Sequence, residues 1–139
     1  MICEILCVGT EILLGDIVNT DAAFIARELA SLGFTSYHQS VVGDNPARLR
    51  AAIDEGLRRS DVLIITGGLG PTCDDITKIA AAEAFGRGMH TDLDVKRDLV
   101  EFFEKIGRPM TENNLPQAEV PDGATIFYNK WGTAPGIAL

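Results

Sequence analysis

Apolar and polar positions fall in blocks along this chain, and the blocks predict strands alternating with helices. The first run, Ile2-Cys3-Glu4-Ile5-Leu6-Cys7-Val8, reads as a buried strand that ends at Gly9-Thr10-Glu11. A loop through Gly15 and Asp16 leads to Asn19-Thr20-Asp21, a cluster suited to capping a helix. Ile25, Leu29 and Leu32 then recur at i, i+4 and i+7, with Gly33 in the closing position. Residues 34–42 read as a second strand, ended by Gly43-Asp44-Asn45. Pro46 opens the next helix, capped by Asp44 or Asn45 and striped by Leu49, Ile53 and Leu57.

Val62-Leu63-Ile64-Ile65 is apolar without alternation, the pattern of a strand in the middle of a parallel sheet covered on both faces. A glycine loop follows. Ile76, Ile79, Ala80 and Ala84 predict a third helical stripe, broken by Gly86 and Gly88. Residues 92–106 predict a fourth helix, with Val95, Leu99, Phe102, Phe103 and Ile106 facing inward. Residues 109–135 are loop-rich with a short strand at 124–128, and residues 136–139 begin another strand.

Right-handed crossovers turn this order into a three-layer α/β/α sandwich with a mostly parallel sheet. A chain of 139 residues is expected to make one domain. Ligands of such folds collect at the carboxyl ends of the strands. Three segments should meet there: Gly9-Thr10-Glu11, Gly43-Asp44-Asn45 and the glycine loop.

Composition narrows the function. A hydrophobic share of 46% sustains a core. A net charge of -8 weighs against nucleic-acid binding, which demands clustered Lys and Arg. No 18-residue apolar run predicts a membrane span, and Glu4 stands where a signal peptide needs basic residues. Three cysteines without C-x-x-C spacing fit a reducing, cytoplasmic setting, with Cys3 and Cys7 as core residues. His38 and His90 lack the neighbours of a zinc site.

The candidate chemistry lies in Thr66-Gly67-Gly68-Leu69-Gly70-Pro71-Thr72-Cys73-Asp74-Asp75. Gly67, Gly68 and Gly70 let backbone N–H groups approach an anion, and Thr66 and Thr72 add hydroxyls. The spacing matches neither a dinucleotide fingerprint nor a Walker loop. Asp74 and Asp75 diverge by about 100° on a helix, so one can cap it while the other reaches a cation or water. Asp44, opposite Asp75, is a candidate for holding Mg²⁺ or a similar hard cation. Thr10 and Glu11 are weaker candidates for ribose or adenine contacts, and the 132–136 loop suits close ligand approach.

At these residues the sequence resembles the N-terminal domain of the competence/damage-inducible protein A (CinA) family, within the molybdopterin-binding fold. The matching runs are Val8-Gly9-Thr10-Glu11-Ile12-Leu13-Leu14-Gly15, Ile17-Val18-Asn19-Thr20, Val42-Gly43-Asp44-Asn45, and residues 66–72 with Asp74-Asp75. They continue through Gly107-Arg108-Pro109-Met110, Asn114, Gln117-Ala118, Pro121, Gly123-Ala124 and Gly132-Thr133-Ala134-Pro135-Gly136. The resemblance implies binding of a phosphorylated nucleotide or pterin ligand. It also implies metal-dependent hydrolysis of ADP-ribose and related dinucleotide pyrophosphates, with Mg²⁺ or Co²⁺.

In that scheme residues 66–72, Pro71 included, cradle a diphosphate, and Thr10, Glu11 and Asn19 orient the nucleoside. Asp44 and Asp75 hold the cation, with Asp74 as a further candidate. The alternative is a non-catalytic module that binds molybdopterin or a nucleotide. Family domains of this kind self-associate, so a homo-oligomer is expected. Molybdopterin adenylyltransferases carry Arg-Asp after the glycine loop. Asp74 in the Arg position favours the CinA branch. The family continues into a strand and a closing Pro-Gly-x-Pro loop, so the chain is expected to be a domain trimmed before them. The amidase activity of the family's separate C-terminal domain is not expected of these residues.

Overall fold

The first apolar run forms β1 (Cys3–Val8), and all six of its residues are buried. It is followed by α1 (Thr10–Leu14), α2 (Thr20–Ser31), β2 (Gln39–Val42), α3 (Pro46–Arg59) and β3 (Val62–Thr66). These elements come from a computed structural model that describes residues 1–139. The chain divides into two compact units, residues 1–68 and 69–139.

In the first unit the strands form one parallel sheet in the order β2-β1-β3. Alternation along β1 assigns its two faces. Cys3, Ile5 and Cys7 pack with Ala22 and Leu29 of α2, joined by Ile25, Ala26 and Phe34. The opposite face carries Glu4, whose carboxylate meets Arg59 of α3 in two bonds, Oε1–Nη2 at 2.6 Å and Oε2–Nε at 2.7 Å. Leu49 and Ile53 of α3 are buried. Helices therefore cover both faces, and the α/β class expected from the sequence holds.

Several details differ from expectation. β3 lies at an edge of the three-stranded sheet, and β1 is its middle strand. β1 is apolar apart from Glu4, and β3 is apolar up to Thr66, a pattern that reports covered faces but not the number of neighbours. β2 is shorter than expected: Phe34 turns back into the α2 core, and only an isolated bridge between Ile2 and Thr35 precedes the strand. Residues 10–14, read as loop, form the short α1. Of the two caps expected for α3, Asn45 is the one that serves, accepting from Arg48 N at 3.0 Å.

The second unit holds α4 (Thr77–Ala84), β4 (Met89–Thr91), α5 (Leu93–Lys105), a 3-10 helix (Glu112–Ala118), β5 (Glu119–Pro121), β6 (Thr125–Phe127) and β7 (Gly136–Ala138). β4 pairs antiparallel with β5, and β6 with β7. Asp92 caps α5 by accepting from Asp94 N and Val95 N, and Val95 and Leu99 are buried as expected. Ile106 is not inward: it lies past the end of α5, 46% exposed. The α4 stripe is also corrected. Thr77, Lys78, Ala80 and Ala82 are buried, while Ile79 is 48% exposed. Cys3 and Cys7 are buried and Cys73 is exposed, all as free thiols. No helix is long and apolar enough to cross a membrane.

The Arg59 guanidinium holds the Glu4 carboxyl below the usual carboxylate range, against the opposing effect of burial. A lowered pKa stabilises the fold above the unfolded pKa, and that contribution is lost as pH falls through the folded value. Arg59→Ala strands a buried charge. It should lower the melting temperature at pH 7 by about 5–10 °C. The gap should narrow as pH falls below the usual carboxylate range and through the lowered folded value of Glu4. Thermal unfolding followed by circular dichroism across pH measures it.

Candidate functional site

The three strands of the first unit end level, with Cys7 opposite both Val41 and Thr66. Gly9 N donates to Val42 O at 2.9 Å, which docks the turn after β1 on the end of β2. Thr10 then meets Asp44. Its backbone N and its Oγ1 donate to Asp44 Oδ2 at 3.0 and 2.8 Å, and Asp44 N donates back to Thr10 Oγ1 at 3.1 Å. Both bonds to the carboxylate fall on Oδ2, which leaves Oδ1 available to a second partner. A Cβ on Gly43 would sit 3.1 Å from the same Thr10 Oγ1, so the two turns touch.

The glycine loop enters this cluster at Gly67. Its φ is +92°, and a Cβ there would overlap the Val8 carbonyl oxygen. Only glycine fits where β3 leaves the sheet. Thr66 Oγ1 donates to Asp21 Oδ2 at 3.1 Å, in the first turn of α2. The expected meeting of the turns after the three strands is therefore present. Asn19 caps α2, as its place in the cap cluster suggested: its side chain accepts from Ala22 N at 3.0 Å. The exposed Glu11 folds its carboxylate over Gly9, 2.6 Å from where a Cβ would stand.

In the second unit Asp75 closes the loop on itself. Its Oδ2 accepts from Thr72 N at 2.8 Å and from Thr72 Oγ1 at 2.6 Å. A Cβ on Gly70 would sit 2.6 Å from that oxygen. Burial raises the Asp75 pKa, but the Thr72 hydroxyl and N–H, the Gly70 backbone and the Lys78 charge outweigh it, and the net direction is down. Neither acid caps α4, because Ile76 stands at the N-cap without a side-chain cap. Cys73 and Asp74 are exposed, with Sγ 3.9 Å from Asp74 Oδ1.

A pattern invisible in the linear sequence emerges. Each threonine hydroxyl expected to meet a ligand, Thr10 at the nucleoside and Thr66 and Thr72 at phosphate, donates to a carboxylate: Thr10 to Asp44, Thr66 to Asp21 and Thr72 to Asp75. Asp21 read only as part of a helix cap. Lys78, buried beneath the glycine loop's own helix, was missed because its partners lie about forty residues downstream, at Pro116, Gln117 and Glu119. No group of three or more His, Cys, Asp or Glu side chains is arranged to hold a metal ion.

The chain matches the family described as "Probable molybdopterin binding domain" over residues 4–139. A "Putative competence-damage inducible protein" of Clostridium kluyveri is 56% identical over 137 residues, 98% of this chain and 33% of the relative. A solved structure of the protein CinA from Thermoplasma acidophilum superposes with a TM-score of 0.90 at 33% identity, covering 99% of this chain and 80% of that one. The chain belongs to the CinA family. A CinA-like protein of Dictyoglomus thermophilum is 50% identical over 139 residues, 100% of this chain and 34% of the relative. The chain thus spans about one third of the length of these curated CinA relatives. The molybdopterin biosynthesis enzyme MoaB from Thermus thermophilus shares the fold, with a TM-score of 0.58 at 20% identity over 86% of this chain and 78% of that one.

Two expected outcomes test this geometry. Gly67→Ala should destabilise the protein by about 3 kcal/mol or more, since it adds left-handed strain to an overlap with backbone. Chemical unfolding checks it. Asp75 has a lowered pKa, so its hold on the loop is present above the ordinary carboxylate range and is lost as pH falls through the folded value. Amide exchange at Thr72, corrected for intrinsic rates, should lose protection at low pH in the native protein. Protection should already be lost at pH 7 in Asp75→Ala.

Proposed function

We propose that this domain binds a nucleotide diphosphate-type substrate such as ADP-ribose and hydrolyses its pyrophosphate with the help of a divalent cation. The observation that carries the reading is the set of threonine–aspartate pairs. A hydroxyl already donating to a carboxylate has only its lone pairs to offer a newcomer, and an anionic diphosphate is repelled by the acid beside it. A hard cation arriving with the diphosphate removes both obstacles. It neutralises the carboxylate, and the hydroxyl is released to turn towards phosphate.

The residues fit a cation of that kind and not a resident one. Three acidic ligands are not gathered in advance. Mg²⁺ needs only one or two carboxylates when phosphate oxygens and water complete its shell. Asp44, with Oδ1 uncommitted, is the first candidate, and Asp75 the second. Once bound, such an ion polarises a phosphoryl oxygen and acidifies a bound water. Within the first unit the chain would supply the hydroxyls of Thr10 and Thr66 to hold phosphate oxygens; within the second, the N–H groups of the loop and the Thr72 hydroxyl are the candidates. Glu11 and Asn19 flank the nucleoside end in this proposal.

The family description supports a second reading, a non-catalytic module for a molybdopterin- or nucleotide-like ligand. Calorimetry and product analysis separate the two. Under the first reading, ADP-ribose with Mg²⁺ or Co²⁺ binds and yields AMP. Chelation abolishes turnover, and Asp44→Asn lowers kcat/KM by at least about a hundredfold while the fold is retained. Tight binding without AMP, unaffected by chelator, sinks the hydrolase and leaves the module.

A further inference from the structure

Three polar residues of the second unit are almost fully buried, and none enters the proposal above: Thr77 at 4% exposure, Lys78 at 5% and Gln117 at 1%, of which the last two have long side chains reaching across the unit. Lys78 lies in the first turn of α4, three residues after Asp75. Its Nζ donates to the carbonyl oxygens of Pro116 at 2.9 Å, Gln117 at 3.1 Å and Glu119 at 2.8 Å. Those bonds use all three ammonium protons. No carboxylate stands at ion-pair distance, and Glu119 and Asp75 act on it only through longer-range attraction. Burying an ammonium without such a partner is costly, and methionine would fill the space without that cost. What lysine alone provides is a grip on the backbone where the 3-10 helix passes into β5.

Gln117 carries that grip onward. Its Nε2 donates to Thr133 Oγ1 at 2.7 Å. Its Oε1 is buried with no hydrogen-bond partner. A leucine would avoid the penalty of an orphaned acceptor, so the amide is accounted for by its donor. Thr133 sits inside the 132–136 loop, whose other side is shaped by Asn129. Asn129 Oδ1 accepts from Trp131 N at 2.9 Å and Gly132 N at 3.1 Å, and Nδ2 donates to Ala134 O at 3.0 Å. Asn129 fixes the loop's shape, while Gln117 ties it to the interior.

We propose that Lys78 and Gln117 are positioning residues that brace the 132–136 loop. The brace runs from the start of α4, just after the 69–75 loop, through the backbone at 116–119 to Thr133. Ligand held by the 69–75 loop then depends on the posture of 132–136, a coupling that rests on the ligand-binding proposal above. Neither residue touches the ligand.

The test combines ¹⁵N order parameters at Gly132, Thr133 and Ala134 with titration of ADP-ribose plus Mg²⁺. The variants are Lys78→Met, Gln117→Leu, Thr133→Val, Thr133→Ser and the double variant Lys78→Met/Thr133→Val. Folded variants that break the brace should lower those order parameters from about 0.85 to below about 0.6. Thr133→Ser, which keeps the hydroxyl, should restore them. Each breaking variant should weaken binding about fivefold, with the double variant no worse than the more affected single one. Rigid 132–134 amides in folded Gln117→Leu and Thr133→Val overturn the brace. So do additive losses of affinity in the double variant. If Lys78→Met does not fold, Gln117→Leu against Thr133→Ser decides the loop arm. If ADP-ribose fails to bind the unaltered protein, the functional proposal falls, and the order parameters still judge the brace.

Discussion

Covering β1 on both faces and both edges is the constraint on which the first unit depends. A strand with a neighbour on each side and a helix over each face has no solvent-exposed position to spend, and its six residues are all buried. One of them is Glu4, so α3 must bring a guanidinium to meet it, and Arg59 does so with two bonds. The docking of α3 is thus electrostatically specified as well as apolar. At its carboxyl end the same strand points the Val8 carbonyl at the path of the chain leaving β3, and Gly67 is the answer to that carbonyl.

The ends of the strands carry an unusual charge logic for a loop that resembles a phosphate cradle. Helix N-termini and glycine-loop N–H groups attract anions, yet the hydroxyls among them are engaged with aspartates. Each of these hydroxyls donates to a single carboxylate oxygen. Two of these aspartates also accept from the backbone N–H of the same threonine, Asp44 from Thr10 and Asp75 from Thr72, so each carboxylate fixes main chain as well as hydroxyl.

Local chemistry was legible in the sequence, and pairing across distance was not. The cap at Asn19, the Pro46 helix start and the apolar runs of β1 and β3 depend on neighbours within four residues. All appear where propensity puts them. The convergence of Gly9-Thr10, Gly43-Asp44 and Thr66-Gly67 followed from parallel topology alone. Strand order did not, because unbroken apolar runs do not reveal which strand is central. The α4 face was misjudged because a lysine counts as polar in any periodicity. Its burial depends on carbonyls supplied by Pro116, Gln117 and Glu119, and nothing near residue 78 announces them. Asp21 is similar: its role as partner to Thr66 spans forty-five positions.

The three cysteines have a practical consequence. Cys3 and Cys7 sit two strand positions either side of core residue Ile5 and are closed off from solvent, whereas Cys73 is open beside the glycine loop. A thiol-specific reagent added to the native protein meets one accessible sulfur at once. It reaches the other two only when β1 is released from the sheet. The chain therefore carries its own pair of clocks. The slow thiols time the opening of the first unit, and the fast one registers whatever shields the loop in the second.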